Sequence, residues 1–265
     1  MRHETPPRRT TDNRAMALQR WPDILFSQGF GTRRECDALL RAGLVTQGGL
    51  RVAADEAADV RGLVFEVRGE RWPWQERALV VLHKPAGFEC SRRPRHHPGV
   101  MNLLPPPLRT RGVQPVGRLD ADTTGLLLLT DDGALIHRLA SPRRHVPKVY
   151  EVGTVDPVTP AQVAALLRGV TLRDDPRPVR AAACEATGER ALRLTLLEGR
   201  YHQVKRMVAA AGNQVLQLHR SRYGALELPA DLAPGQWRWL AGPQAILGTL
   251  PSDDNRASDP NRSDP

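Results

Sequence analysis

The run from Gly117 to Gly133, GRLDADTTGLLLLTDDG, constrains this chain more than any other segment. Leu126 to Leu129 form an unbroken apolar run of strand length, the pattern of a strand buried on both faces. Gly125, just ahead of it, marks a close approach of backbone to backbone. Gly117 permits a tight turn that a Cβ would obstruct. Asp131-Asp132-Gly133 closes the segment as a turn. A buried strand therefore carries a loop that presents Asp120, Asp122, Thr123 and Thr124, the arrangement by which a rigid scaffold holds reactive side chains. An isolated aspartate in such a turn is usually just solvated, so the loop alone marks only a candidate site.

Charge says what such a site would meet. The 265 residues carry a formal net charge of +9. Residues 1–17 hold +2, residues 18–70 hold −1 and residues 249–265 hold −2, so residues 71–248 hold +10. This is the stretch that contains the Asp120 loop, and it points to a polyanion, structured RNA above all. Only three of the 38 Lys and Arg residues are lysine: Lys84, Lys148 and Lys205. An ammonium is compact and its pKa is tunable, which a guanidinium's is not. Cys36, Cys90 and Cys184 are scattered without ligand-like spacing, so neither a metal site nor a disulfide framework is expected. No apolar run is long enough to span a membrane, and the first 17 residues have no apolar stretch of the kind a secretory leader needs. A reduced, cytoplasmic protein is expected.

Organisation follows composition. Residues 1–17 and 249–265 are polar and aperiodic and are expected to be disordered tails. Residues 18–70 read as a small module. Thr32-Arg33-Arg34-Glu35 is a capping box, Cys36, Leu39 and Leu40 line one helix face, and Gly43 closes the helix. Strands are expected at 44–47 and 64–67, with a Gly48-Gly49 hairpin turn. Residues 71–79, with Pro73 between Trp72 and Trp74, read as a linker. A larger domain over 80–248 shows strands at 79–82, 125–130, 149–155, 191–197 and 215–218. Helices are expected from Thr159 to about Leu167 and over 200–211, the second closed by Gly212. Strands and helices do not alternate strictly, so the expectation is an α+β domain around a mixed or antiparallel sheet.

Three further segments carry candidate chemistry. HKPAGFECS (83–91) is a loop leaving a strand. PKVYEV (147–152) places Tyr150 in a strand beside a basic residue, where it either packs in the core or stacks on an unpaired base. EGRYHQVKRM (198–207) turns from a strand into a helix and gathers Arg200, His202, Lys205 and Arg206 at one anion-attracting end. No phosphate-cradling glycine loop occurs.

Together with G-R-L-D-x-x-T-x-G-L-L-L-L-T-x-D-G, these segments resemble the RsuA-like family of ribosomal RNA pseudouridine synthases over about residues 18–240. The stretch GTRRECDALLRAGLVTQGG likewise resembles the S4-like RNA-binding module, with Arg33, Arg34 and Arg41 on the face laid against RNA. Arg20-Trp21-Pro22 stands where that module's pattern starts Arg-Leu-Asp. The resemblance implies a pseudouridine synthase fold preceded by an S4-like module. It assigns catalysis to Asp120, Tyr150 and Lys205, with Lys205 pairing with the acid and favouring its ionised form. It implies substrate binding by Arg118, Leu119, Thr123, Gly125, Lys84, His202, Gln203 and Arg206. Neither cofactor nor metal is implied, because isomerisation needs neither. The form Tyr201-His202-Gln203-Val204-Lys205-Arg206-Met207 followed by Leu218-His219-Arg220 looks like the branch acting on bacterial small-subunit (16S) RNA. The large-subunit (23S) branch typically shows Asn-Arg-Gln, with arginine at the position of Lys205. A monomer acting on a partly assembled small-subunit particle is expected. The alternatives are a large-subunit enzyme with the same machinery and a non-catalytic RNA-binding assembly factor.

Overall fold

The computed structural model describes residues 17–91, 93–173 and 175–248. The expected tails lie outside these residues except for Ala17, whose carbonyl accepts a hydrogen bond from the Val60 N–H. The described chain forms two compact units: one runs through Ala78 and includes Leu104–Gln114, the other comprises Leu79–Leu103 and everything from Pro115.

In the first unit, the capping box at Thr32 closes as its residue types require. The Thr32 hydroxyl accepts from the Glu35 N–H and the Glu35 carboxylate accepts from the Thr32 N–H, opening the helix Arg33–Arg41. Its Cys36, Leu39 and Leu40 are buried. Trp21, Ile24 and Leu25 from the helix Trp21–Ser27 join the same core, with the Trp21 ring edge-on to Phe65 at 5.7 Å. Strands Val45–Gln47, Leu50–Arg51, Val64–Val67 and Glu70–Pro73 form one antiparallel sheet.

Two boundaries differ from the sequence reading. Residues 71–78 are not a linker: Glu70–Pro73 pairs with Val64–Val67, and Trp72 is buried against Phe30, ring centroids 5.1 Å apart. Gln28 and Gln75 hydrogen-bond reciprocally at 3.1 Å. Leu104–Gln114 also packs in this unit, where Arg111 donates to Gln28, to the Gln75 carbonyl and to the Glu76 carbonyl. Aromatic burial and one guanidinium fork override the local proline signal.

The second unit is built on a mixed sheet in the order 183–188, 191–196, 148–154, 215–223, 124–130, 79–84, 237–239. Along this path every neighbouring pair is antiparallel except Val215–Tyr223 with Thr124–Thr130. Leu126, Leu127, Leu128 and Leu129 are completely buried. Leu126 and Leu128 meet Leu79, Val81, Leu135, Leu139 and Tyr223 in the main core. The fold is α+β with a mixed sheet, and helix Pro160–Arg168 starts at the Thr159 capping box.

Three elements depart from expectation. Asp132 ends no simple turn: its carboxylate caps the helix Gly133–Ala140 by accepting from the Ala134 and Leu135 N–H groups. The helix expected over 200–211 spans Gln203–Ala210, because His202 adopts a left-handed conformation (φ 48°). The strand expected to stop at 218 continues to Tyr223, paired on both edges with Lys148–Thr154 and Thr124–Thr130.

Candidate active site

The Asp120 loop is shaped by two glycines and one buried lysine. Gly125 sits at φ 106° where it pairs with Arg220, and a Cβ there would lie 2.3 Å from the Arg220 carbonyl oxygen. Gly117, at φ 72°, would meet nothing within 4 Å. Its requirement is torsional, not the obstruction inferred from sequence. Lys84 is fully buried and donates to the carbonyls of Pro85, Ala121 and Thr123 at 3.0, 3.1 and 2.8 Å. The Thr123 N–H in turn donates to the Asp120 carbonyl at 3.1 Å. Burial lowers the Lys84 pKa, partly offset by Cys90, Asp122 and Asp120. A substrate-binding role for Lys84 is therefore corrected: all three of its protons are held by backbone oxygens, and its work is to hold the loop.

Above this loop the Asp120 carboxylate meets two basic side chains. One oxygen is 3.3 Å from His202 Nε2 and the other is 3.5 Å from Lys205 Nζ. Lys205 is closer to Asp122, at 2.7 Å from both carboxylate oxygens. That contact holds the Asp122 pKa below the ordinary aspartate value. Lys205 is thus shared between two acids rather than devoted to one. The left-handed backbone at His202, a rare geometry for a residue with a Cβ, places its ring against Asp120 and stacks Tyr201 on it at 3.8 Å.

Asp120 opens into a cavity of about 780 Å³. Arg118, Leu119, Thr123, Tyr150, His202 and Gln203 also line it, so six of the other residues selected from sequence converge here. Lys205 and Arg206 do not form its wall, and Gly125 acts through the backbone alone. Gln203 is buried, with its amide donating to Glu198 at 3.0 Å and accepting from the Arg200 N–H at 2.8 Å. Arg206 folds back and donates to the Tyr201 carbonyl at 3.0 Å. These two side chains brace the turn that leads into the helix. Arg200 is likewise engaged, by Asp175 at 2.5 Å and Glu198 at 3.2 Å.

The cavity also contains groups that the site reading missed: Cys90, His96 and His97 from one loop, and Lys148, Arg220 and Tyr223 from adjacent strands. Lys148 and Arg220 place their charges 5.3 and 5.1 Å from the Tyr223 ring centroid, and the Tyr223 hydroxyl donates to the Leu139 carbonyl at 2.9 Å. The rarity of lysine was a usable signal for Lys148, and the Leu218-His219-Arg220 run was one for Arg220; nothing local marked Tyr223. Among the described residues no group of three or more His, Cys, Asp or Glu could hold a metal ion.

The same geometry-bearing stretch matches known proteins. A family profile described as RNA pseudouridylate synthase covers residues 78–210, half of the chain. The chain belongs to this family. Among the synthases it resembles, the Pasteurella multocida protein named ribosomal small subunit pseudouridine synthase A is 38% identical over 213 residues, 79% of this chain and 90% of that one. The Escherichia coli (strain K12) protein of the same name is 46% identical over 160 residues, 60% of this chain and 69% of that one. A crystal structure of a pseudouridylate synthase superposes with a TM-score of 0.59 at 35% identity, covering 83% of this chain and 95% of that one. This synthase therefore carries its Asp120 loop, its Tyr150 strand and its Lys205 helix all within the matched region.

Proposed function

We propose that this synthase isomerises one uridine of small-subunit ribosomal RNA to pseudouridine. The observation that carries the reading is the Asp120 carboxylate, flanked by His202 and Lys205, opening into the same cavity as the Tyr150 ring. The names of the relatives support the small subunit as the source of the RNA.

The reaction breaks the N-glycosidic bond, turns the uracil over and rejoins it through carbon. Because the reacting atoms are inaccessible in a stack, the uridine enters the cavity flipped out of its helix. Asp120 acts on the sugar or base as nucleophile or base, Tyr150 stacks on the flipped uracil, and Arg118 occupies or props the vacated position. Lys205 and His202 hold the Asp120 carboxylate in place. The first unit serves as an S4-like docking module through the exposed Arg34 and Arg41. Arg33 is already paired with Asp23 and packed 4.7 Å from the Phe26 ring centroid. The enzyme works as a cytoplasmic monomer on a partly assembled small-subunit particle.

The test is to incubate the protein with partly assembled small subunits and map pseudouridine. Wild type forms it at a defined position, while Asp120→Asn, with unchanged thermal melting, loses at least about 10³-fold in rate. Substantial remaining activity in the folded variant would sink the assignment. Modification confined to large-subunit RNA would redirect the substrate.

A further inference from the structure

All three lysines of the chain lie in the second unit, in three different electrostatic settings. Lys84 gives every proton to a carbonyl, and Lys205 is clasped by two carboxylates. Lys148 is different. It is 6% exposed, it lines the cavity two residues from Tyr150 on the same strand, and among the described residues its ammonium has no hydrogen-bond or ion-pair partner. Its ammonium lies 5.3 Å from the centroid of the Tyr223 ring, with Arg220 also nearby. A largely buried ammonium without a protein acceptor is costly unless cavity water or a bound ligand supplies one, or it sheds its proton.

Resting on the reading above, we propose that Lys148 is the proton shuttle of the isomerisation, carrying the single proton that must move from C5 to N1 of the uracil. The bookkeeping requires one such group. When the N1–C1′ bond breaks, its electron pair leaves with N1. When C5 joins C1′, C5 still carries its hydrogen. The C5–H bond must then break, its electron pair returning to the ring to restore the C5–C6 double bond. The neutral Lys148 amine takes that proton through its lone pair and becomes an ammonium. The ammonium then gives a proton to N1, which completes pseudouridine and regenerates the amine. No proton is gained or lost overall. C5 and N1 both adjoin C6, so one nitrogen near that edge serves both without a large movement.

The surroundings suit this cycle. Burial, with the neighbouring Arg220 cation, pushes the Lys148 pKa down to about 8, against a smaller opposing effect of Glu198. A group titrating near the working pH both accepts and returns a proton efficiently. Several of the other charged and titratable groups facing the cavity are committed or poorly suited, and the Tyr150 hydroxyl is the competing group. Arg220 and Arg118 cannot accept a proton, and Asp120 and His202 face each other. Burial pushes the Cys90 thiol pKa up. The same holds for Tyr223, pushed up to about 12 with its proton on the Leu139 carbonyl. His96 and His97 are exposed.

The experiment measures single-turnover isomerisation of a small-subunit RNA fragment whose target uridine carries protium or deuterium at C5. Full-length wild type, Lys148→Met and Lys148→Arg are compared. The wild-type rate rises with pH to a plateau, with a midpoint near 8 set by the neutral amine. Lys148→Met binds RNA as wild type does but loses about 10²-fold in rate. It also shows a larger primary deuterium isotope effect than wild type, because C5–H cleavage, partly rate-limiting in the wild type, becomes fully so. Lys148→Arg keeps the cation yet loses as much, since a guanidinium takes no proton. A wild-type profile flat from pH 6.5 to 9 overturns the inference without any variant. So does recovery of the rate by Lys148→Arg, or a Lys148→Met variant whose isotope effect is no larger than that of wild type on an active background. An inactive wild type overturns the isomerase reading itself, and this inference with it.

Discussion

Lys205 stands between Asp120 and Asp122, so its removal leaves two carboxylates without their shared cation. The side chain is only about one-quarter exposed, so solvent compensates poorly for that loss. Lys205→Met is expected to slow single-turnover isomerisation by about 10²-fold while changing the RNA dissociation constant by less than about threefold. Equal losses in rate and binding would identify Lys205 as a phosphate contact instead. The motif placed a basic residue near Asp120. It did not reveal the tighter contact with Asp122, because which of two acids lies closer depends on how the helix after His202 meets the loop. Lys84 shows the converse. Its sequence setting reads as a substrate contact, and only burial against three carbonyls shows that it positions the loop.

The meeting of the 124–130 and 215–223 strands holds the candidate site together. Here Gly125 lets the Asp120 loop run directly against Arg220, whose Nε donates to the Leu126 carbonyl at 2.8 Å. Gly125→Ala adds a Cβ 2.3 Å from a backbone oxygen at a left-handed φ, whereas Gly117→Ala adds one that meets nothing. Thermal melts should therefore separate them: about 3 kcal/mol or more lost for Gly125→Ala, and about 1–2 kcal/mol for Gly117→Ala. Equal losses would mean that the strand junction relaxes around the methyl. The leucine run made this strand legible, and Gly125 flagged the close approach. The partner strand was read five residues short, because its second half, His219–Tyr223, is polar and basic. A polar segment gives no apolar strand signal, yet its backbone pairs at the sheet centre and its side chains turn into the cavity and toward partners.

Across the molecule, positive charge is concentrated in residues 71–248, while residues 18–70 are slightly acidic overall. If the first unit nonetheless docks on RNA, it must do so through a local face. Arg34 and Arg41 are exposed with no ion-pair partner among the described residues, while Arg33 is tied to Asp23. Arg34→Ala combined with Arg41→Ala should therefore reduce the slope of log affinity against log salt by about 1.5, the release of two counterions. An unchanged slope would take this face off the RNA. Arg33→Ala should have the smaller effect.

Sequence alone determined the α+β class, the buried leucine strand, the capped helices and the acid presented on its loop. These follow from short-range chemistry: side-chain periodicity, cap residues and glycine torsions act within a few residues. Tertiary structure alone decided that residues 104–114 pack with the first unit and that the helix after Gly199 waits until Gln203. It also decided that Lys84, Lys148 and Lys205 meet three different fates. Those outcomes depend on which carbonyls, carboxylates and rings arrive from distant segments. A lysine's charge is written in the chain, but its partners and its pKa are set by the packing around it.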